Sequence, residues 1–174
     1  CDEEQEMGPG WGGVSAGTPS PHLFRCPHLA LVADFRFASP EARFSANFSR
    51  LGFHQGFGLS VTLPELIGTQ ASNDMFFTGR RVTGGEAAEL GLCDRLVPLT
   101  ELRDAATLYA QEISKSAPLA IESIRKTLRG DLADRVERAT LHEASEQARL
   151  VKTKDWVEGI SASSERREPN FRRE

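Results

Sequence analysis

The chain has 174 residues, enough for one ordinary domain with a sizeable core, and its 26% charged and 39% hydrophobic residues are typical of a soluble protein. The formal net charge of −4 gives no electrostatic argument for a nucleic-acid partner, which would call for a basic face. Apolar runs such as 29–33 are far shorter than the roughly 20 residues of a membrane-spanning helix, so no membrane partner is expected.

Residues 1–28 differ in composition from the rest of the chain. They are acidic at first, then rich in glycine and proline, and they show no apolar periodicity. Such a segment cannot bury enough apolar surface to offset the entropy of ordering, so we predict a disordered leader without a secretory address. Cys1, Cys26 and Cys93 are odd in number and widely spaced, which indicates reduced thiols and a cytoplasmic location.

The segment 29–98 has the pattern of an α/β core. Phe35, Phe37 and Phe44 alternate with polar neighbours on either side of a Ser39-Pro40 turn, which predicts two short, half-buried strands. A glycine-rich loop follows, and then apolar residues at helical spacing predict two helices beyond Val61 and a third opened by a capping box. The loop and the helix boundaries are marked by Gly52, Gly56, Gly58, Gly68, Thr83, Glu86 and Gly91.

The segment 99–174 predicts four consecutive helices. We expect one behind a cap at Thr100, one from Pro118 to Gly130, one from Leu132 to Val151 and one behind a cap at Thr153. The third carries a thin stripe of Val136, Ala139, Ala144, Ala148 and Val151. Helices in a row after a β/α core predict an α/β fold with an appended helical layer.

A series of short motifs stands in a fixed order along the chain. They are 34–36 (DFR), 42–44 (ARF), 51–52 (LG), 56–58 (GFG), 63–68 (LPELIG), 77–82 (FTGRRV), 86–92 (EAAELGL), 97–98 (VP), 117–120 (APLA) and 166–171 (RREPNF). Each is short, but the order is specific. It resembles the second half of the enoyl-CoA hydratase/isomerase family, also called the crotonase family.

The resemblance implies a fold and a substrate class. The fold would be a partial crotonase-like core of ββα turns over 29–98, followed by a helical region over 99–174 that builds a trimer or hexamer. The substrate would be a coenzyme A thioester of fatty or carboxylic acyl-CoA metabolism, with no separate cofactor. Reactions of the family pass through an enolate-like state, which calls for backbone N–H donors at the thioester oxygen and for positioned carboxylates.

Several of the family's catalytic positions hold other residues here. The segment that supplies one N–H donor has no counterpart, and the glycine turn that supplies the other falls on 24–27 (FRCP). The two catalytic carboxylates fall on His28 and Phe48. Losing one such donor costs about 10²–10³ in rate and losing an acid or base about 10²–10⁴, so we predict impaired catalysis in a chain whose N-terminal half is missing or altered.

By the same resemblance, five residues remain as site candidates. His54 is the candidate general base, and Phe48 and Gly56 would line the substrate site, the latter through its N–H. Arg166, which would reach the coenzyme A phosphates, and Phe171 belong to the last motif and would also bind substrate. The ordinary alternatives are a loop histidine, a glycine needed only for the turn, and solvated charge in the tail.

Two other functions fit the same sequence. One is a non-catalytic assembly subunit that uses the helices after Thr100 to join full-length homologues. The other is a helical interaction module without a thioester. A metal site is not expected, because His22, Cys26 and His28 lack the spacing of structural zinc ligands.

Overall fold

The computed structural model describes residues 14–16 and 31–174. The strands in these residues are β1 (Val14–Ala16), β2 (Phe35–Ala38), β3 (Arg43–Ser45), β4 (Arg81–Thr83) and β5 (Arg95–Leu96). The helices are α1 (Leu59–Ile67), α2 (Thr69–Thr78), α3 (Gly84–Leu90), α4 (Leu102–Ser114), α5 (Pro118–Arg129), α6 (Leu132–Leu150) and α7 (Lys154–Glu165). Short 3-10 turns lie at Ser49–Leu51 and Leu99–Glu101.

The strands form two small sheets. One is parallel, in the order β1-β2-β5, with Phe37 beside both Ala16 and Arg95. The other pairs β3 with β4 in antiparallel fashion, with Phe44 opposite Val82. Both strands predicted from the phenylalanine alternation are therefore confirmed, and Phe37 and Phe44 are buried.

Strand β1 lies inside the segment predicted to be disordered. It pairs with the edge of β2, whose backbone N–H and C=O groups would otherwise lack strand partners on that side. The remainder of 1–28 lies outside the described residues, as do His22, Cys26, His28 and the FRCP stretch at 24–27. The leader thus stays a prediction.

Most helix boundaries follow their predicted signals. Gly68 and Gly91 end their helices, and the hydroxyls of Thr83 and Thr153 accept from the amides of Glu86 (3.2 Å) and Trp156 (3.1 Å). In a complete capping box the Glu86 side chain would also bond back to the Thr83 amide. Here the Glu86 carboxylate pairs instead with the guanidinium of Arg80.

The predicted cap at Thr100 is wrong. Thr100 lies inside the 3-10 turn Leu99–Glu101, and α4 begins at Leu102 without a side-chain cap. The 3-10 turn leads directly into the helix, so its own backbone bonds replace a hydroxyl at this end.

The main core lies between the β3–β4 sheet and the helices α1, α2 and α3. Its fully buried side chains include Leu59, Leu63, Met75, Val82 and Leu92. A second cluster joins the parallel sheet to α4, where Tyr109 meets the rings of Phe35 (4.9 Å between centroids) and Phe37 (5.8 Å). The first helix of the C-terminal helical region is thus packed directly on the strands.

Candidate functional site

A glycine-rich turn between the core strands and α1 carries the predicted site. The 3-10 turn Ser49–Leu51 ends at Gly52, with a φ of +65°, and Gly58 enters α1 with a φ of +71°. Phe57, between them, also has a positive φ of 62°, and its side chain is 66% exposed. Such a backbone is costly for a bulky residue and is found where function or tight packing requires it. Sequence reasoning had not singled out Phe57.

The first turn of α1 is capped from a distant part of the chain. Its N-cap residue is Gly58, which has no side chain to satisfy the exposed amides. The carboxylate of Glu143, on α6, accepts from the amide of Gly58 (2.7 Å to Oε2) and from that of Ser60 (2.9 Å to Oε1). Glu143 is completely buried, so this carboxylate belongs to the interior of the site.

Two further α6 side chains fix the turn. The Gln147 amide nitrogen donates to the His54 carbonyl (3.0 Å), and it lies 2.7 Å from where a Cβ on Gly56 would stand. The Val136 Cγ1 methyl lies at the same 2.7 Å from the corresponding point on Gly58. Gly58, which also has a positive φ, is therefore required by the close approach of α6, whereas at Gly56 the close atom is the end of a flexible side chain that can move aside.

Residue spacing in α6 carries a signal for this face, which the apolar stripe obscured. Glu143 follows Val136 by seven residues, so the two share one face of a helix. The stripe residues Ala144 and Ala148 are exposed, and the buried face is turned toward Glu143 and Gln147 instead. The spacing places Glu143 in phase with the half-buried Val136, which indicates a shared face but does not identify the amides that Glu143 binds.

His54 has a defined tautomer in this arrangement. Its Nδ1 lies 2.8 Å from the Gln55 carbonyl oxygen, which can only accept, so Nδ1 carries the hydrogen. In the neutral ring, Nε2 is then the nitrogen that can take a proton. A second imidazole, His142 on α6, stands edge-on to it at 6.2 Å between ring centroids.

Glu146 is the charged neighbour of these two rings. A hydrogen bond from Arg149 lowers the pKa of the Glu146 carboxyl, and the nearby His142 and His54 contribute in the same direction. Glu146 thus stays ionised and provides negative charge beside both histidines.

Phe48 forms an apolar wall at the start of the turn. Its ring stacks on that of Phe53 at 6.3 Å and packs against the main core. Its carbonyl oxygen accepts from the amides of Leu51 and Phe53 (2.9 and 3.0 Å). Phe48 can contact an apolar part of a ligand here but cannot move a proton.

Arg166 and Phe171 lie at the end of α7 and in the tail beyond it, and α7 itself packs against Leu51 and Gly52 at the start of the turn. Arg166 ends α7 in the left-handed conformation, and Phe171 is 39% exposed in the tail beyond it. The tail folds back along α7, because Glu158 binds the Arg167 guanidinium and accepts from the Asn170 amide. The hydrogen bonds from Arg167, together with that amide, hold the pKa of Glu158 at about 2.

A polar groove of about 320 Å³ lies between this tail and the β3–β4 sheet. Its charged lining comprises Arg50, Arg80, Arg81, Arg167 and Glu168. Several of these charges are already paired, as Arg50 is with Glu168 at 2.6 Å.

The structure therefore brings together His54, Gly56 and Phe48 in one turn. No hydrogen bond, ion pair or ring contact joins Arg166 or Phe171 to that turn in the described part of the chain. The roles given to all five residues stay predictions. Within residues 14–16 and 31–174, no three His, Cys, Asp or Glu side chains cluster as metal ligands would.

Comparison with known proteins gives the family to which this chain belongs. The sequence profile of the enoyl-CoA hydratase/isomerase family matches residues 27–174. The carnitinyl-CoA dehydratase of Salmonella arizonae is 32% identical over 148 residues, which cover 83% of this chain and 57% of that protein. The chain therefore belongs to the enoyl-CoA hydratase/isomerase, or crotonase, family.

Solved structures agree with that assignment. An enoyl-CoA hydratase/isomerase from Pseudoalteromonas atlantica superposes with a TM-score of 0.78 at 26% identity, over 84% of this chain and 59% of that one. A carnitinyl-CoA dehydratase from Mycobacterium avium gives a TM-score of 0.77 at 25% identity, over 85% and 59%. The predicted fold class, an α/β partial crotonase-like core with a helical layer, is confirmed.

This chain spans little more than half the length of these relatives, 57% to 59% in the cases above. In the residues that the structure describes, no helix combines the length and apolar character needed to cross a bilayer.

Proposed function

We propose that the protein binds an acyl-coenzyme A thioester at the turn from Gly52 to Gly58 and acts on it as a weakened enoyl-CoA hydratase or isomerase. The observation that carries this proposal is the family match over residues 27–174. The strained, glycine-bounded Phe57 and the imidazole of His54 in the same turn support it. The cytoplasmic location and a role in fatty acid metabolism remain parts of the proposal.

The chemistry requires a donor for negative charge on the thioester oxygen. The amides of Gly58 and Ser60 are used by Glu143. The Gly56 amide has no acceptor within the described residues, so it is a donor that the turn can offer to a substrate or a water molecule. One such donor is worth about 10²–10³ in rate.

The chemistry also requires a group that moves a proton. Nε2 of His54 fills this role, because Nδ1–H is fixed on the Gln55 carbonyl. Phe48, which occupies the position of a family carboxylate, supplies apolar contact alone. A single imidazole in place of two carboxylates is the physical reason to expect slow turnover.

The test is hydration of crotonyl-CoA, followed as loss of the absorbance of the conjugated thioester. His54→Gln should lower kcat/KM by about 10²–10⁴, the range for removal of a positioned acid or base. His142→Gln is the matched control, since it removes the neighbouring imidazole and leaves Nε2 of His54 in place.

The outcomes separate the candidates. Turnover that depends on His54 supports the proposed enzymatic function. Turnover that His54→Gln leaves unchanged removes His54 from the proposal, and absence of both turnover and acyl-CoA binding overturns the proposal as a whole.

A second candidate, the assembly subunit, is favoured by the surface of α5. This helix buries none of its side chains, although Leu119, Ile124 and Leu128 are apolar and exposed. Exposed apolar stripes of this kind mark interaction surfaces. A homotrimer, a hexamer or a mixed oligomer with full-length homologues would cover it, and a rise in mass on mixing with such a homologue, without turnover, would favour this function. The interaction module without a thioester predicts that acyl-CoA gives no thermal shift.

A further inference from the structure

Glu143 is a buried carboxylate that the proposed chemistry does not use. It lies at the middle of α6, has no exposed surface, and faces the N-terminus of α1 instead of solvent. Carboxylates are rarely buried unless their oxygens are satisfied, and here each oxygen accepts one backbone amide, those of Gly58 and Ser60.

The position suits a negative charge for a second reason. The N-terminal end of a helix carries a partial positive charge, and a nearby anion stabilises it. Helix α1 has Gly58 as N-cap and no acidic residue in its first turn. Glu143 supplies both the cap and the charge from 83 to 85 residues further along the chain.

The cap is part of a wider contact between α6 and the turn. Gln147, one helical turn after Glu143, holds the His54 carbonyl, and Val136, two turns before it, leaves room only for glycine at position 58. An ion pair between Arg135 and Glu65 joins the same two helices farther along α1. The α6 helix therefore contacts the turn before the cap, the cap itself and α1 beyond it.

We propose that Glu143 is a positioning residue for the acyl-CoA site. By fixing the amides of Gly58 and Ser60, its carboxylate sets the direction of the preceding Gly56 amide and the place of His54. The site is then competent only while α6 is docked on α1. This inference rests on the proposed function for its effect on the ligand, but the cap itself can be tested without one.

The experiment uses the 174-residue chain and three variants. Glu143→Ala removes the carboxylate, Glu143→Gln keeps its volume and one acceptor oxygen, and Glu137→Ala, at an exposed position of the same helix, is the matched control. Hydrogen exchange at the amides of Gly58 and Ser60 reports the cap, and the Kd for crotonyl-CoA reports the site.

In Glu143→Ala, exchange at both amides should rise about tenfold or more, as expected for loss of a charged hydrogen-bond partner. The Kd for crotonyl-CoA should rise about tenfold, the worth of roughly one hydrogen bond, because the Gly56 amide loses its fixed direction. The deleted atoms have the size of acetate, so added acetate should restore both values. Acetamide, which is neutral and of similar shape, should not. Glu137→Ala should change neither.

If hydrogen exchange at the Gly58 and Ser60 amides is unchanged in Glu143→Ala, or if acetamide restores it as well as acetate does, Glu143 does not cap α1. Raised exchange with an unchanged Kd shows that Glu143 is structural and overturns positioning. If the wild-type chain does not bind crotonyl-CoA, the proposed function and positioning both fail, while exchange still decides the cap. Should Glu143→Ala not fold, Glu143→Gln decides: faster exchange at one of the two amides supports the cap, and full protection of both overturns it.

Discussion

Helices α7 and α5 are joined to the core in opposite ways. Helix α7 touches it backbone to backbone: a Cβ on Gly159 would stand 2.4 Å from the Leu51 carbonyl carbon, and one on Gly52 would stand 2.6 Å from the Asp155 oxygen. Helix α5 buries no side chain and is attached by charge, through Arg125 and Arg129.

The two attachments depend on different physical properties. The close packing of α7 leaves no room for an added atom, so a single substitution at a contact glycine can disrupt it. The attachment of α5 uses half-exposed ion pairs, which weaken with salt and with protonation. Substitutions and solution conditions should therefore affect the two helices separately.

Gly159→Ala should give the largest effect. In an open helix this change stabilises, because alanine has the better helix propensity. Here the new methyl group would overlap the Leu51 backbone, which cannot yield as a flexible side chain would, so we expect a loss of about 3 kcal/mol in the free energy of unfolding. Urea denaturation measures it.

The control is Gly85→Ala near the start of α3. There the nearest atom to an added Cβ is the Thr83 hydroxyl oxygen at 4.0 Å, so the same substitution should stabilise by about 0.5 kcal/mol. If both variants shift stability in the same direction, the contrast between open and close-packed glycines is wrong.

Neither the backbone contact of α7 nor the ion pairs of α5 could have been derived from the sequence. Gly159 lies in a helical pattern, where a glycine indicates only weaker propensity, and nothing in it names Leu51 as its neighbour. Elements with local signals were predictable: Gly68 and Gly91 as helix ends, Thr83 and Thr153 as caps. For Glu143 the helical spacing indicated a face shared with Val136, but its partners could not be derived, since they lie more than 80 residues away.

Asp34→Asn should have an intermediate effect. The Asp34 carboxylate accepts from the side chains of Arg125 (2.7 Å) and Arg129 (2.6 Å). Because these groups are partly exposed, we expect a loss of about 1 kcal/mol at neutral pH, smaller at high salt.

The pH dependence of this ion pair has a definite sign. Burial raises the pKa of Asp34, but the hydrogen bonds from Arg125 and Arg129 outweigh it and leave that pKa below the ordinary value of 3.8. A lowered pKa in the folded state means that the contribution is present above the unfolded-state pKa and is lost as pH falls through the folded one. Wild type should therefore lose its advantage over Asp34→Asn below about pH 4. An advantage that persists at pH 2 would contradict this assignment.

Leu128→Ser should give the smallest effect. The Leu128 side chain is 81% exposed on α5, so its replacement removes little burial. We expect the free energy of unfolding at low protein concentration to change by less than about 0.5 kcal/mol, the range for surface substitutions. A loss of more than 1 kcal/mol that grows with protein concentration would show instead that another chain covers this face, because association stabilises only the folded form. The same urea titration at two protein concentrations thus tests both the weak attachment of α5 and its use in assembly.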